Sequence, residues 1–473
     1  MTITHGIPAS NRLPGRYFEY NLLGSARGIV GLPSRILLIG GLLATGTKSA
    51  GDKVQVFSDA DADVYFGVGS ELALMYKWAA LGGRDYGSSP EIWCIGMADT
   101  GTAAVQLLTI TGTPTEGGQI VVKIAGRVIA SPVASGDSVT TMAAALDAAI
   151  DAMIANLPVT SGAAAGVVTC TAAQKGVTGE DIAYDVISAP AGVTVTPSSS
   201  ATGATASDIT ASLDLSEDID FDFVVSANHT STDVSDFAAH ITATWEAGAK
   251  RWRQTLFCET GSLATAQALS AAANDHRQIV VHAKGFKNTP GEIAAYVAAT
   301  MGGEENPAKG FDGKALPSLY RPDAADVQNQ TARKTAINSG LLVLHVNSVT
   351  GKPEIVRAVT TKTIHNSVPF FDMLDVSSTR AFYKGARQID IAQALAFPQA
   401  SADAETMKAI RSLNIDIAYK LQEKKWWHNV EAHEAEFDVA PDPDNPSRIA
   451  SAIPSTIVPE LHQIINQMNF IRE

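Results

Sequence analysis

Cysteine is scarce in this chain of 473 residues. Only Cys94, Cys170 and Cys258 are present, and they lie far apart. A disulfide framework or a cysteine-based zinc site needs clustered cysteines at characteristic spacings, so neither is expected here. Two of the three occur in apolar, strand-like runs, which predicts buried and reduced thiols.

Long apolar runs are also missing. The longest run near the start, residues 36–44, has nine residues, whereas a membrane-spanning helix needs about twenty. No apolar stretch of signal-peptide length follows Met1, so we expect neither a membrane span nor a secretory leader. The 45% hydrophobic and 18% charged residues are typical of globular proteins, and the length predicts two to four domains.

Basic residues are absent from two acidic stretches, residues 207–236 with eight acids and Glu431–Asp444 with six. The net charge is −14, which argues against nucleic acid as a partner because phosphate binding needs a basic face. Residues 1–50 are the opposite, with five basic residues and one acid. Two interpretations stay open: attraction between the basic segment of one copy and the acidic body of another, or an acidic surface that keeps the protein soluble.

Nucleotide and nucleophile motifs are missing as well. No Walker A pattern and no G-x-S-x-G elbow occurs. Gly67-Val-Gly69-Ser70 begins like a dinucleotide fingerprint, but Leu72 stands where the third glycine belongs. A glycine turn followed by a helix with Ser70 as its N-cap is the better prediction.

Metal-binding spacings fail in a similar way. Asp218–Asp222 spaces three carboxylates like the start of a calcium loop, but Phe223 and His229 stand where glycine and glutamate are needed. His428 and His433 are five apart, and a strand would direct them to opposite faces. We therefore predict no metal, no cofactor and no enzyme. A Ser/His/Asp triad stays open, because its members meet only in space.

The pattern along the chain predicts a multidomain protein that is α/β in its core and α+β overall. After residue 220, strands alternate with helices of ten to fifteen residues, which is typical of βαβ units and a mostly parallel sheet. Residues 100–205 are instead rich in small and β-branched residues and nearly free of aromatics. The predicted domains are an N-terminal arm (1–34), a discontinuous α/β core (35–99 and 206–355), an inserted β-rich domain (100–205), an α+β C-terminal domain (356–456) and a C-terminal arm (457–473).

The C-terminal domain differs from the core in its pattern. Two long helices are predicted at Val376–Leu395 and Asp403–Lys425, followed by strands at Val430–Val439 and Arg448–Ile453. The arm that follows begins with an apolar run at Ile457. Such a terminus either packs on its own chain or adds a strand to a neighbour.

Four motifs, taken in order, carry a family resemblance. They are a proline-glycine arm ending in Tyr17-Phe-Glu19, the turn Phe66-Gly67-Val-Gly69-Ser70, the signature Val356-Arg357-Ala-Val-Thr360-Thr361, and the closing segment from Ile453-Pro454 to Phe470-Ile471. Together they resemble contractile tail sheath proteins, particularly the sheaths of Mu-like phages. The resemblance covers nearly the whole chain and is weakest over residues 100–205.

This resemblance implies a structural subunit that polymerises in six-fold helical rings around a tail tube and contracts to drive the tube through a host envelope. The arms would link copies by adding strands to the C-terminal assembly domains of neighbours, and the inserted domain would point outward. The implied contact residues of the arms are Pro8, Arg12, Pro14, Tyr17, Glu19, Ile457, Val458, Leu461, Ile464, Ile465, Met468, Phe470 and Ile471. Arg357, Thr360 and Thr361 form the signature of the assembly domain, where Arg357 pairs with a carboxylate of a neighbour or of its own chain.

The implied partners are further copies of the chain, the tail tube protein, and baseplate and tail-terminator proteins. The implied location is the virion tail, after assembly in the host cytoplasm. Two alternatives remain: the sheath of a phage-derived injection or secretion device, and an α/β hydrolase-like enzyme whose site would lie at the strand ends of the core.

Overall fold

The computed structural model describes residues 34–445 and 447–462. By their internal contacts these residues form two compact units, one of residues 34–384 with 457–462 and one of residues 385–456. The division falls inside a long helix, Val376–Ala396. None of the helices within the described ranges is long and apolar enough to cross a membrane.

The first unit begins with a central strand and the elements that pack beside it. They are β1 (Arg35–Gly41), β2 (Lys53–Gln55), α1 (Asp59–Phe66), α2 (Glu71–Arg84) and β3 (Glu91–Met97). Ser70 is the N-cap of α2, because its hydroxyl accepts a hydrogen bond from the Ala73 N–H at 3.2 Å. The predicted capped turn is therefore confirmed.

Residues 105–201 form a separate hydrophobic core of two antiparallel sheets and one helix. The strand orders are β10-β4-β8-β7 and β6-β5-β9, where Cys170 in β8 is buried. The elements are β4 (Val105–Gly112), β5 (Gly118–Ile124), β6 (Arg127–Val133), α3 (Val139–Asp151), β7 (Val159–Ala164), β8 (Val167–Ala172), β9 (Tyr184–Ser188) and β10 (Val193–Ala201), with 3-10 turns at Ile154–Asn156 and Val177–Asp181.

In the rest of the first unit, strands alternate with helices. They are α4 (Thr210–Asp214), β11 (Phe223–Ser226), α5 (Ser231–Thr244), β12 (Gln254–Glu259), α6 (Leu263–Ala273), β13 (Gln278–His282), α7 (Pro290–Gly302), α8 (Gln330–Asn338), β14 (Leu341–Val346), β15 (Pro353–Arg357), β16 (Ile364–His365) and β17 (Val368–Pro369), before α9 (Val376–Ala396) begins. The eight-stranded sheet has the order β15-β14-β13-β12-β11-β1-β3-β2 and is parallel except at its two edge strands, β15 and β2. The predicted βαβ core with a mostly parallel sheet is confirmed.

Both faces of this sheet are covered. Along β1, Ile36 and Leu38 join a core with α2 and α7, whereas Leu37 and Ile39 join a core with α4, α5, α6 and α8 on the other face. This alternation follows from the two-residue period of a strand. Helices α2 and α7 approach closely at Gly82, where a Cβ atom would lie 2.7 Å from the carbonyl oxygen of Tyr296.

A buried ion pair joins the 105–201 region to the rest of the unit. The guanidinium of Arg127 in β6 donates to both carboxylate oxygens of Glu292 in α7, at 3.0 and 2.6 Å, and the two side chains are only 6% and 0% exposed. Glu292 also accepts from Thr289 N–H within the capping box of α7. Arg127 lies against the rings of Trp78 and Tyr320 as well.

The second unit contains α10 (Ala404–Glu423), α11 (Val430–His433), a 3-10 turn at Glu434–Glu436, and the antiparallel strands β18 (Asp438–Pro441) and β19 (Ile449–Ala452). The predicted strand over Val430–Val439 is therefore wrong for most of its length. Val430 and Phe437 are both 2% exposed, and two helical turns direct residues seven apart to one side, whereas a strand would separate them. His433 is consequently on a helix, with Nδ1 2.8 Å from Glu436 Oε1.

The Arg127–Glu292 pair gives a first prediction. Arg127→Met leaves the Glu292 carboxylate buried without its cation and should lower the free energy of unfolding by about 3–5 kcal/mol in urea titrations. Arg127→Met with Glu292→Gln should recover part of that loss. The surface pair Arg448–Asp442 is the control, and Arg448→Met should change stability far less, because water screens an ion pair at the surface. Equal losses in the free energy of unfolding for Arg127→Met and Arg448→Met would contradict a stabilising role of the buried pair.

His240 in α5 gives a pH prediction. It is 6% exposed, its Nε2 accepts from Arg253 at 3.2 Å, and burial followed by the charge of Arg253 lowers its pKa to about 3. Because this pKa lies below the value of about 6.5 in an unfolded chain, the stability contribution is complete above pH 6.5 and is lost as the pH falls. The loss by pH 4 should be on the order of 1–3 kcal/mol.

The control for this prediction is His240→Gln, which retains an acceptor for Arg253 but cannot titrate. Its free energy of unfolding should fall less between pH 7 and pH 4 than that of the unmodified chain. The variant should still lose some free energy of unfolding over this pH range, since burial also lowers the pKa of His282 to about 4. The same pH dependence in both proteins would contradict the role of His240.

Candidate assembly site

The predicted contact residues of the arms are divided between described and undescribed parts of the chain. Ile457, Val458 and Leu461 belong to the first unit and are described below. The others lie outside the described residues: Pro8, Arg12, Pro14, Tyr17 and Glu19 in the N-terminal arm, and Ile464, Ile465, Met468, Phe470 and Ile471 in the C-terminal arm.

Thr360 and Thr361 bind neighbouring backbone of their own chain. Both side chains are fully buried. The Thr360 hydroxyl donates to Met373 O at 2.8 Å, and its N–H donates to Leu374 O at 2.7 Å. The Thr361 hydroxyl donates to Asp275 O and accepts from Asp275 N–H, both at 2.9 Å. These contacts fix the segment after β15 against the end of α6 and the segment before α9.

Arg357 ends β15 and pairs within its own chain. Its Nε and Nη2 donate to the two carboxylate oxygens of Asp375 at 2.9 and 3.1 Å. The same carboxylate lies 3.1 Å from Nε2 of His462, whose Nδ1 is 2.6 Å from Asp312 Oδ2. Arg357 is thus connected through Asp375 to the start of the C-terminal arm, which unites two of the predicted site segments.

Glu460 is the most enclosed acid of this cluster. Its side chain is 4% exposed, and a Cβ atom on Gly310 would lie 2.3 Å from its Oε2. Burial, with the charges of Asp375 and Asp312, raises the pKa of Glu460 to about 8. Although burial lowers the pKa of His462, its contacts with Asp312 and Asp375 outweigh this and raise it.

The apolar residues of the same segment are less enclosed. Ile457 and Val458 are half-buried, whereas Leu461 is 76% exposed. The polar residues Glu460 and His462 therefore contact the first unit more closely than Leu461 does. The segment is attached mainly through charged and hydrogen-bonding groups.

In the second unit, β18 and β19 form a two-stranded sheet by themselves. They pair from Asp438 with Ala452 to Pro441 with Ile449. Among the described residues neither outer edge of this sheet is paired with a third strand. A two-stranded sheet is marginal in water, and unpaired edges present backbone groups to which another strand can add.

The ends of the parallel strands are where an α/β enzyme would bind its ligand, at the point between β1 and β11 where the strand order reverses. Glu71 lies there and accepts from Gly41 N–H at 2.9 Å. The Gln174 side chain fills the space above Gly41, since a Cβ atom on that glycine would lie 2.1 Å from it. About 20 Å³ remains, room for about one water. A wider groove of about 710 Å³ lies at the β2 edge, away from these strand ends.

Sequence reasoning missed Asp312, Asp375, Glu460 and His462 as members of one cluster. Asp312 and Asp375 lie in loops far apart along the chain, so only the fold brings them together. The pattern Pro459-Glu-Leu-His462 carries a signal, because it places two ionisable groups two residues apart in a segment that begins apolar. The rejected pair His428 and His433 does not converge on this cluster, which lies in the other unit.

The buried threonines give a testable prediction. Thr361→Val keeps the shape of the side chain but removes both hydrogen bonds with Asp275, leaving a half-buried N–H and carbonyl without that partner. It should lower the free energy of unfolding by about 1–3 kcal/mol. Thr363→Val is the control, because at Thr363 the backbone N–H makes the contact with Asn274. Equal stability of the two variants in urea titrations would contradict this account.

No protein-family model matches the chain. The Mu-like prophage FluMu tail sheath protein of Haemophilus influenzae is 33% identical over 180 residues, 38% of this chain and 36% of that protein. The chain thus spans about a third of the length of this curated relative.

Two solved structures have a similar fold. The sheath tail protein of Listeria innocua has a TM-score of 0.52 and 11% identity, over 89% of this chain and 91% of that one. A chain in the cryo-EM structure of the anti-feeding prophage (AFP) baseplate, 6-fold symmetrised, has a TM-score of 0.53 and 11% identity, over 98% of this chain and 100% of that one. The chain is therefore a homologue of a Mu-like prophage tail sheath protein with the fold of sheath tail proteins, which confirms the resemblance that its motifs indicate.

Proposed function

We propose that this chain is a structural subunit of a contractile phage tail sheath, not an enzyme. The observation that carries the proposal is homology with the Mu-like prophage FluMu tail sheath protein. The shared fold with a sheath tail protein agrees with it. In this role the subunits form six-fold helical rings around a tail tube, and contraction drives the tube through the host envelope.

Strand addition is the proposed means of assembly. The β18–β19 sheet has two outer edges without a paired strand in the described part of the second unit, and the described part of the C-terminal arm ends at His462. An arm from a neighbouring copy supplies the missing backbone partners, so main-chain hydrogen bonds hold the copies together. The proposed contact residues remain those of the two arms.

The proposed domain division follows the sequence. Residues 35–99 and 206–355 form the core domain, residues 100–205 point away from the tube, and residues 356–456 form the assembly domain. Proline-containing segments at Pro8–Pro14 and Pro454–Pro459 serve as hinges during contraction, so that paired strands persist while the bodies of the subunits move. A tail map with residues 100–205 against the tube would overturn the orientation.

The proposed partners are other copies of the chain, a tail tube protein, and baseplate and tail-terminator proteins. The proposed location is the virion tail, with assembly in the host cytoplasm. The similar fold of a chain in the AFP baseplate supports a second candidate function, the sheath of a phage-derived injection device. Genes for a capsid and packaging machinery beside this gene would favour the phage, and their absence would favour the device.

Negative-stain electron microscopy of the purified full-length protein at high concentration tests the proposal. Hollow cylinders with six-fold end views are expected, because the subunit carries its own strand donors and acceptors. Small particles of one size at every concentration would contradict self-assembly. The α/β core would then be examined for hydrolase activity.

Deletion of the arms is a separate prediction. Removal of residues 1–20, or of residues 463–473 beyond the attached segment, should leave a folded monomer that forms no cylinders, because each deletion removes strand donors. Sedimentation and microscopy measure assembly, and circular dichroism measures folding. A matched control is Leu395→Ser, a surface change at an exposed residue outside both arms, which should still assemble. Cylinders from either deletion would refute the arm mechanism.

A further inference from the structure

Three potential metal ligands converge where the C-terminal arm contacts the first unit. One donor atom from each of Asp312, Glu460 and His462 lies within 4.8 Å of the other two. His462 Nδ1 is 2.6 Å from Asp312 Oδ2 and 3.9 Å from Glu460 Oε2. In a tetrahedral Zn²⁺ site with bonds of about 2.0–2.1 Å, neighbouring donors lie about 3.3 Å apart. Small side-chain shifts therefore bring all three donors onto one ion.

A second observation concerns the other carboxylate oxygen of Glu460, which is separate from the oxygen used in this spacing. Glu460 Oε1 is buried and has no hydrogen-bond partner among the described residues, and the side chain as a whole is 4% exposed. A buried carboxylate oxygen without a partner is unfavourable, and a cation beside it removes the penalty. Gly310 lies close to the same carboxylate, since a Cβ atom on that glycine would be 2.3 Å from Glu460 Oε2.

The surroundings of His462 match those of a metal-bound histidine. Ligating histidines usually donate their second N–H to a carboxylate, which fixes the ring and its tautomer. Here Nε2 lies 3.1 Å from Asp375, and Arg357 holds that carboxylate by two hydrogen bonds. The imidazole is thus oriented with Nδ1 toward Asp312 and Glu460.

We propose that Asp312, Glu460 and His462 bind a divalent transition-metal ion, with Zn²⁺ preferred, through one oxygen of each acid and Nδ1 of the histidine. The imidazole favours Zn²⁺ over Mg²⁺ and Ca²⁺, which prefer oxygen ligands alone. The side chain of Asp312 is 30% exposed, which gives the ion an entry path and leaves a fourth position for water. Binding releases the proton that Nδ1 shares with Asp312.

The ion joins distant parts of the chain. Asp312 lies in the loop between α7 and α8, whereas Glu460 and His462 belong to the start of the C-terminal arm. A bound ion therefore fixes residues 457–462 of the arm against that loop. The site itself does not depend on the proposed sheath role, because a single chain supplies every ligand.

The test uses full-length protein that has been stripped with a chelator and dialysed. Titration calorimetry with ZnCl₂ should give one Zn²⁺ per chain, with a higher melting temperature in Zn²⁺ than in Mg²⁺. CoCl₂ should give visible absorption bands of a low-symmetry N/O site. Hydrogen exchange of residues 457–462 should slow when Zn²⁺ is added, because the ion holds this segment against the loop.

The variants separate the proposed ligands from other histidines. His462→Gln and Glu460→Gln should each abolish one-to-one Zn²⁺ binding. Asp375→Asn should lower the Zn²⁺ affinity by about 10–100-fold, because the His462 ring loses the carboxylate that orients it. His433→Gln is the matched control, since it removes an exposed histidine paired with Glu436 in the other unit and should bind Zn²⁺ normally.

Absence of one-to-one Zn²⁺ binding by the unmodified chain would overturn the proposal, as would normal binding by both His462→Gln and Glu460→Gln. If these variants fail to fold by circular dichroism, the unmodified chain decides the matter. Unchanged hydrogen exchange at residues 457–462 with saturating Zn²⁺ would then overturn the site, and slowed exchange would support it.

Discussion

Burial of both faces of the eight-stranded sheet is the constraint on which the first unit depends. Parallel strands need crossover connections, and these connections become the helices that cover the sheet. Ile36 and Leu37, adjacent in β1, therefore pack into different cores. Antiparallel β15 then ends the sheet at Arg357, which places the chain beside Asp375 and the start of the C-terminal arm. The location of the candidate assembly site thus depends on how one edge of the sheet ends.

Local signals made much of this fold predictable. Ser70 and Ser262 cap helices as polar residues before apolar runs usually do, and strands such as β12 alternate with helices after residue 220 as predicted. The strand prediction at Val430–Val439 was wrong because apolar and polar residues alternate on either side of His433-Glu434, as they do in a strand. The buried pair Val430 and Phe437 shows that packing on α10 selected a helical turn.

The candidate site was less predictable than the fold. Arg357, Thr360 and Thr361 were identified only through a family motif, and the structure shows hydrogen bonds that attach them to their own chain. Asp312 and Asp375 carry no sequence signal, because their proximity to His462 depends on loops that meet after the sheet has formed. The short distances from Asp312 and Asp375 to His462 depend on tertiary structure, and no periodicity or spacing in the sequence predicts them.

The attachment of residues 105–201 has an evolutionary consequence. This region has its own hydrophobic core, and its most buried polar connection to the sheet domain is Arg127 on Glu292. This ion pair requires only that the fold formed by residues 105–201 place one cation next to the carboxylate of Glu292 at the start of α7. Recombination could exchange residues 105–201 for an unrelated fold and leave the sheet intact, provided that the new fold carries such a charge or that Glu292 changes with it.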